Sequence, residues 1–233
     1  DFILRCFNTW YFWKDEQSIL NDSKLNNPED YISFLEDYNN PVSLFEAILH
    51  PDDRFSFYSQ DYRALTNFLQ GIRTDDGMVY RLYQLGFDNR IIIAVKYVIP
   101  NSSAAVLGIK RGDLFGTVDG VILDESNYQN LLSSSKTSLQ LNGIRYENEQ
   151  WIDEQESITL VKTEGLTENP VFKDSIYTID NEKIGYLVYN AFISNYEEEL
   201  NQVFTEFKNN QVSSLVLDLR YNSGGSTANA AVL

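Results

Sequence analysis

Leu215-Val216-Leu217-Asp218-Leu219 is almost continuously apolar, and the chain then breaks into Arg220-Tyr221-Asn222-Ser223-Gly224-Gly225-Ser226. A short run of that kind, stopped by turn residues, reads as a strand buried on both faces. Two adjacent glycines allow positive φ and a close approach of backbone to a ligand. Ser226-Thr227-Ala228 opens an Ala-rich helix with Ser226 as its N-cap. Strand, glycine turn and helix N-terminus together direct free N–H groups at one point, which suits a phosphate, a carboxylate or a developing oxyanion. Taken alone, Gly-Gly after a strand more often marks only a tight turn.

The residues upstream sharpen that reading. Ile184-Gly185-Tyr186-Leu187-Val188-Tyr189 reads as a strand. Tyr196 to Lys208 reads as a helix, with Tyr196, Leu200, Val203, Phe204 and Phe207 on one face. Strand, helix, apolar strand and glycine turn make a right-handed βαβ crossover.

Charge and composition exclude several partners. Net charge is −16, so neutralising phosphates offers this chain nothing and nucleic acid is not expected. No basic cluster suits an anionic membrane, and no run approaches ~18 apolar residues, so a membrane span is not expected. No signal peptide is evident, but the chain starts at Asp1 inside an apolar pattern, which leaves room for an upstream targeting segment. Cys6 is the single cysteine, so no intrachain disulfide forms. His50 is the single histidine, which removes a Ser-His-Asp triad that does not use it and any multi-histidine metal site. Before Pro51 it reads as a helix C-terminal residue. No metal or cofactor is expected.

Residues 1–73 read as helical. Phe2, Ile3, Cys6, Phe7, Trp10 and Trp13 give one bulky face. Asn21 to Asn27 reads as a polar connection. Asn27 caps a helix with Pro28 in its first turn and Tyr31, Phe34, Leu35 and Tyr38 on its apolar side. Ser43-Leu44-Phe45-Glu46 has capping-box spacing and opens a helix through Leu49. Ser59 caps another that ends at Gly71, with Tyr62, Leu65, Phe68 and Leu69 buried. From Thr74 the pattern turns to strands: Met78 to Leu85, Arg90 to Ile99, a strand before Val118-Asp119-Gly120, Leu139 to Asn142 and Ser157 to Lys162. Gly86-Phe87-Asp88-Asn89 reads as a turn and Asn127 to Leu132 as a helix. Acidic Tyr146 to Glu156 reads as a solvated loop or hairpin tip, and Leu166 to Asp180 as a connector.

Lys183-Ile184-Gly185-Tyr186-Leu187, followed by Leu215 to Gly225, resembles the bacterial C-terminal processing (tail-specific) serine peptidases. Ser223 stands where the family has Gly or Pro. The resemblance implies that the turn borders an active site and that Gly224 and Gly225 supply oxyanion-hole N–H groups. Tyr11-Phe12-Trp13 and Asp52-Asp53-Arg54-Phe55-Ser56 resemble the helical N-terminal region of the envelope branch, without chemistry assigned. Val98 to Gly120, with Ser102-Ser103-Ala104, Gly108, Arg111-Gly112-Asp113 and Asp119-Gly120, resembles a circularly permuted PDZ domain.

The fold class implied is multidomain α+β: a helical unit at 1–73, a permuted PDZ-like β domain at 74–165, and the first part of a crotonase/ClpP-like α/β catalytic core at 166–233. A PDZ groove takes an extended peptide as an added strand and grips its carboxylate with backbone N–H groups. Gly77, Met78 and Val79 are the favoured loop, and Leu85-Gly86-Phe87 is the alternative. Tyr128, Leu131 and Leu132 would line the helical wall. Asp76 would repel a carboxylate, which implies weak binding or a lid role.

The family uses a serine nucleophile with a lysine base, and neither motif lies between Asp1 and Leu233. Ser194, Ser223 and Ser226 are unsupported as nucleophiles. The expectation is a serine peptidase's N-terminal part, inactive alone, with the dyad beyond residue 233. Its partners would be polypeptides engaged through their C-termini, and its place the bacterial periplasm or envelope, with a lipoprotein anchor as one option. A non-catalytic PDZ-type binding module and a crotonase-like acyl-CoA enzyme stay open beside it.

Overall fold

The computed structural model describes residues 1–20, 27–86 and 89–233. The expected connection from Asn21 lies almost wholly outside these residues, as do Phe87 and Asp88 of the expected turn and of the alternative carboxylate loop. The chain divides into two units, Asp1–Tyr62 and Arg63–Leu233.

The first unit holds α1 (Phe2–Trp10), α2 (Pro28–Glu36) and α3 (Pro41–Ile48), with a 3-10 turn at Lys14–Glu16. Leu4, Leu20, Leu44 and Ile48 form its core, with Ile3, Phe7, Tyr11, Phe34 and Leu35 against them. The buried face of α1 is therefore Ile3, Leu4, Phe7, Asn8 and Tyr11. Phe2 and Trp10, expected on it, are 79% and 84% exposed. Asn27 caps α2 as expected, its side chain accepting from Glu29 N–H at 3.1 Å. The box on α3 starts three residues earlier than the spacing suggested. Asn40 accepts from Val42 and Ser43 N–H, and Ser43 answers from the third helical position.

The two short N-terminal motifs meet. Tyr11 donates its hydroxyl to Asp53 Oδ2 at 2.9 Å and accepts from His50 N–H at 2.8 Å. Asp53 Oδ1 accepts from Phe55 and Ser56 N–H, and the His50 ring lies flat on Trp13, centroids 5.4 Å apart. His50 thus lies beyond α3, two residues past its last turn.

α4 (Tyr62–Leu69) leads into the second unit. Its expected buried face is absent: Tyr62, Phe68 and Leu69 are exposed. Then follow β1 (Ile72–Asp75), β2 (Met78–Leu85), β3 (Arg90–Val98), α5 (Ser103–Val106), β4 (Leu114–Val118), β5 (Val121–Ile122), α6 (Tyr128–Leu131), β6 (Ser138–Glu147) and β7 (Gln150–Val161). The main sheet runs β2-β3-β4-β6-β7, with β5 beside β4. Ile93, Val118, Leu123, Leu141 and Leu160 lie in its core with no exposure. The segment from Tyr146 to Glu156, expected as a loop or a hairpin tip, is a hairpin tip with paired strand on both sides. Asn148 and Glu149, at φ 49° and 63°, make a two-residue hairpin turn at its tip.

A bulge gives β3 two jobs. Ile91, Ile93 and Val95 face the sheet's core, and the register then slips at Lys96. Beyond it Tyr97 and Ile99 face a second cluster with Leu166, Val79 and Tyr221. One extra residue moves every later side chain to the other face.

β8 (Thr163–Thr167) pairs with β1. β9 (Val171–Ile179), β10 (Glu182–Tyr189) and β11 (Ser214–Asp218) form a sheet ordered β11-β10-β9, with α7 (Glu197–Asn209) between β10 and β11 and α8 (Thr227–Val232) last. β10 and β11 are parallel, so the strand–helix–strand crossover forms as expected. The expected connector from Leu166 to Asp180 is instead mostly β9, antiparallel to β10. Gly185 of β10 lets α7 sit close, because a Cβ there would meet the Phe207 ring at 2.9 Å.

The strand expected to be buried on both faces is not. Leu215, Val216 and Leu217 are 45%, 50% and 38% exposed. The reason is position: β11 is an edge strand, paired on one side only, and only Asp218 is covered. The architecture is mixed α+β, with a helical first unit and a second unit that holds the main sheet and a further sheet built on the βαβ crossover.

Candidate functional site

The turn after β11 is fastened to the strand end beside it. Asn222 Nδ2 donates to Tyr189 O at 3.0 Å, and Ser223 N–H donates to Asn190 O at 3.0 Å. Phe192 N–H donates to Gly224 O, and Ser226 N–H to Phe192 O, both at 2.8 Å. Asn229 donates to Ile193 O at 3.1 Å and to Glu197 Oε1 at 2.7 Å, tying α8 to the same segment. Ser226 caps α8 as expected, accepting from Asn229 N–H at 3.4 Å.

The two glycines differ. Gly224, at φ 91°, donates its N–H to Asn222 Oδ1 at 2.8 Å, so that amide is engaged within the turn. Gly225, at φ 135°, donates to no group among the described residues. A Cβ at Gly225 would lie 2.3 Å from Phe192 O, whereas one at Gly224 would meet open space. Sequence treats the pair as equivalent, but the geometry leaves one free donor.

Asp218 anchors the strand end. Tyr186 donates to its Oδ2 at 2.6 Å, while Arg220 Nε donates to Oδ1 at 2.9 Å and Arg220 Nη2 to Oδ2 at 2.6 Å. The guanidinium, then the tyrosine hydroxyl, hold this carboxyl well below the usual range. Asn190 next to the turn is 1% exposed, and its amide meets no hydrogen-bond partner among the described residues. Neither Asp218 nor Asn190 stood out in the sequence, because each acquires its role from the neighbouring strand.

At the expected PDZ-like loop the chain supplies its own carboxylates. Gly77 N–H donates to Asp75 Oδ1 at 2.8 Å and Met78 N–H to Asp76 Oδ1 at 2.9 Å. A Cβ on Gly77 would strike Ser102. Asp76 is buried, and burial raises its pKa, with the Met78 N–H opposing. These two amides are therefore occupied, which corrects the expectation that they grip a ligand carboxylate. Met78 joins the core on which Tyr128, Leu131 and Leu132 pack, so those four converge. Val79 faces the other cluster, with Tyr97 and Leu166. β2 leaves one edge free beside this wall.

No serine in the turn is set against a lysine. Lys136, Lys162 and Lys183 bond Asp119, Ser134 O and Asn210 O. Among the described residues no helix is long and apolar enough to cross a membrane, and no three His, Cys, Asp or Glu side chains group as a metal site.

Comparison with known proteins agrees with this geometry at both ends of the chain. The model of Peptidase family S41 matches residues 183–233, and that of the Peptidase S41 N-terminal domain matches residues 1–57. A crystal structure from Bacteroides fragilis, assigned as an S41 protease, shares the fold with a TM-score of 0.64 and 23% identity. It covers 99% of this chain, and this chain spans 57% of its length. A photosystem II D1 C-terminal processing protease covers 99% of the chain at 21% identity and TM-score 0.47, the chain spanning 62% of it. The PDZ domain of EpsC from Vibrio cholerae covers 37% of the chain at 20% identity and TM-score 0.27, with 98% of that domain matched. The last two scores are too low to establish a common fold. No curated protein matched the chain. The glycine turn and the crossover thus fall in the segment that matches the model of Peptidase family S41, and the N-terminal helices in the segment that matches its N-terminal domain.

Proposed function

We propose that this chain is the N-terminal part of a serine endopeptidase acting on unfolded or C-terminally recognised polypeptides, with a Ser/Lys dyad supplied by residues beyond 233. Residues 1–73 would form a helical domain, 74–165 a PDZ-like domain and 166–233 the start of the peptidase core. The observation that carries the reading is the free N–H of Gly225. It sits in a turn where only glycine fits, at the end of a strand that the Tyr186–Asp218–Arg220 cluster holds in place. A rigidly held donor of that kind stabilises charge developing on a carbonyl oxygen. Gly224 would contribute only if Asn222 released its amide.

In this reading the PDZ-like sheet binds or gates substrate by adding an extended segment to the free edge of β2, beside Met78, Tyr128, Leu131 and Leu132. The Asp75 and Asp76 contacts at Gly77 and Met78 disfavour carboxylate capture in that loop. They also count against the alternative of a C-terminus-binding PDZ module. Such an enzyme would work in the bacterial periplasm or envelope, either free or as a lipoprotein.

The test pairs residues 1–233 with the product of the whole reading frame, each given an unstructured fluorogenic peptide. The longer protein should cleave it, and Gly225→Ala should lower kcat roughly 100-fold or more. Gly224→Ala, whose N–H is already engaged and whose Cβ would meet open space, should cost far less. Cleavage by residues 1–233 alone, or unimpaired turnover in Gly225→Ala, would sink the reading.

A further inference from the structure

Tyr221, three residues before the glycine pair, is the meeting point of positive charge in an otherwise strongly anionic chain. Lys96 Nζ lies 5.6 Å from its ring centroid and Arg111 Cζ 5.1 Å. The ring forms one wall of a pocket of about 450 Å³, whose other polar lining is Tyr80, Arg81, Tyr83, Lys96 and Arg220. Arg220 is spent on Asp218. Arg81, Lys96 and Arg111 form no ion pair with any described residue, and no Asp or Glu among the described residues lines the pocket. Lys96 and Arg111 lie over the Tyr221 ring and Arg81 over the Tyr83 ring, at 5.7 Å, and in a chain of net charge −16 these cations reverse the local field. Lys96 shares this pocket with Ala94, two residues earlier on the same strand.

The loop where a peptide carboxylate would ordinarily be gripped is filled by Asp75 and Asp76, which would repel one. We propose that a carboxylate of the bound polypeptide, either its C-terminus or an acidic side chain, docks in the pocket that Arg81, Lys96 and Tyr221 line, with Arg111 over the Tyr221 ring. Mixed cation and tyrosine walls suit such a group, because the ammonium and guanidinium donate charge-assisted hydrogen bonds and the hydroxyls complete the shell. This rests on the polypeptide-binding reading above, but makes a separate claim about selectivity.

Fluorescence anisotropy with the 233-residue chain tests it, using three labelled, unstructured twelve-residue peptides. One is neutral and C-terminally amidated, one is neutral with a free C-terminus, and one is amidated with two internal glutamates. At least one carboxylate-bearing peptide should bind roughly tenfold tighter than the neutral one, and that advantage should shrink as salt rises. Lys96→Gln with Arg111→Gln should erase the advantage and leave the neutral peptide unchanged. Arg81→Gln with Arg111→Gln, both on exposed positions, should reduce it without touching the bulge. Whichever carboxylate peptide loses affinity identifies the source of the charge. Equal affinity for all three peptides, or an advantage that survives both double variants, overturns this proposal and leaves the peptidase reading intact. Failure of every peptide to bind overturns both.

Discussion

The carbonyl oxygen of Phe192 lies 2.3 Å from where a Cβ at Gly225 would stand, and its neighbours Phe192 N–H and Ser226 N–H bind the two backbones into a short parallel bridge. Glycine is required at 225 by this approach as well as by φ 135°. Gly224→Ala should therefore destabilise the chain by about 1–2 kcal/mol, from its left-handed φ alone. Gly225→Ala should cost more, because a backbone carbonyl cannot swing aside. Urea unfolding of the two variants, followed by circular dichroism, gives the order; a costlier Gly224→Ala would contradict the geometry.

Gly185→Ala tests the packing of the crossover. Its Cβ would sit 2.9 Å from two ring carbons of Phe207, so α7 must shift, at about 1–3 kcal/mol. Phe207→Leu, destabilising by itself, should recover part of that loss in the double variant. A strictly additive cycle would mean that the two positions do not touch.

Tyr97→Phe removes a buried hydroxyl that donates to Glu168 Oε1 at 2.7 Å. Glu168 also pairs with Arg73 and is almost wholly buried, so losing one donor leaves its charge undersupplied. Burial, then the glutamate, push the Tyr97 pKa up, which keeps the hydroxyl protonated as the donor. The variant should unfold at lower urea, by about 1–3 kcal/mol. Unchanged stability would show that the bond is not formed in solution.

Acid should loosen the N-terminal unit through Asp53. Burial would raise this carboxyl, but hydrogen bonds from Ser56, Phe55 and Tyr11 outweigh it and lower the pKa to about 2. A carboxyl depressed on folding stabilises the fold above its unfolded value. That contribution is lost as pH falls from the model-peptide range near 3.8 through about 2. The stability of the 233-residue chain should drop over that window, and Asp53→Asn should flatten the Asp53 part of the drop. If the variant keeps the full pH dependence, Asp53 is not the group responsible.

Much of the site was legible in local pattern. Period and caps locate α2, α7, β2, β3 and β10, because Asn27, Tyr196 to Lys208 and the β-branched run at 91–93 carry their instructions within a few residues. The glycine turn and its N-cap at Ser226 were legible for the same reason. Exposure was not. Tyr62, Phe68 and Leu69 look like a buried face and are open, and Leu215 to Leu217 look like a central strand and lie at an edge.

What the residues determined by themselves is which segments become helix, strand or turn, and that a strand, a crossover helix and a second strand lead to two glycines. Those outcomes follow from backbone sterics and side-chain spacing within a dozen residues. Only the tertiary structure decided that Asn222 takes the amide of Gly224 and leaves that of Gly225 free, that Asp75 and Asp76 fill the expected carboxylate loop, and that Lys96 and Arg111 converge on Tyr221. The fate of a hydrogen-bond donor or a charge depends on which groups the fold brings within about 3 to 6 Å of it, and sequence separation says nothing of that distance.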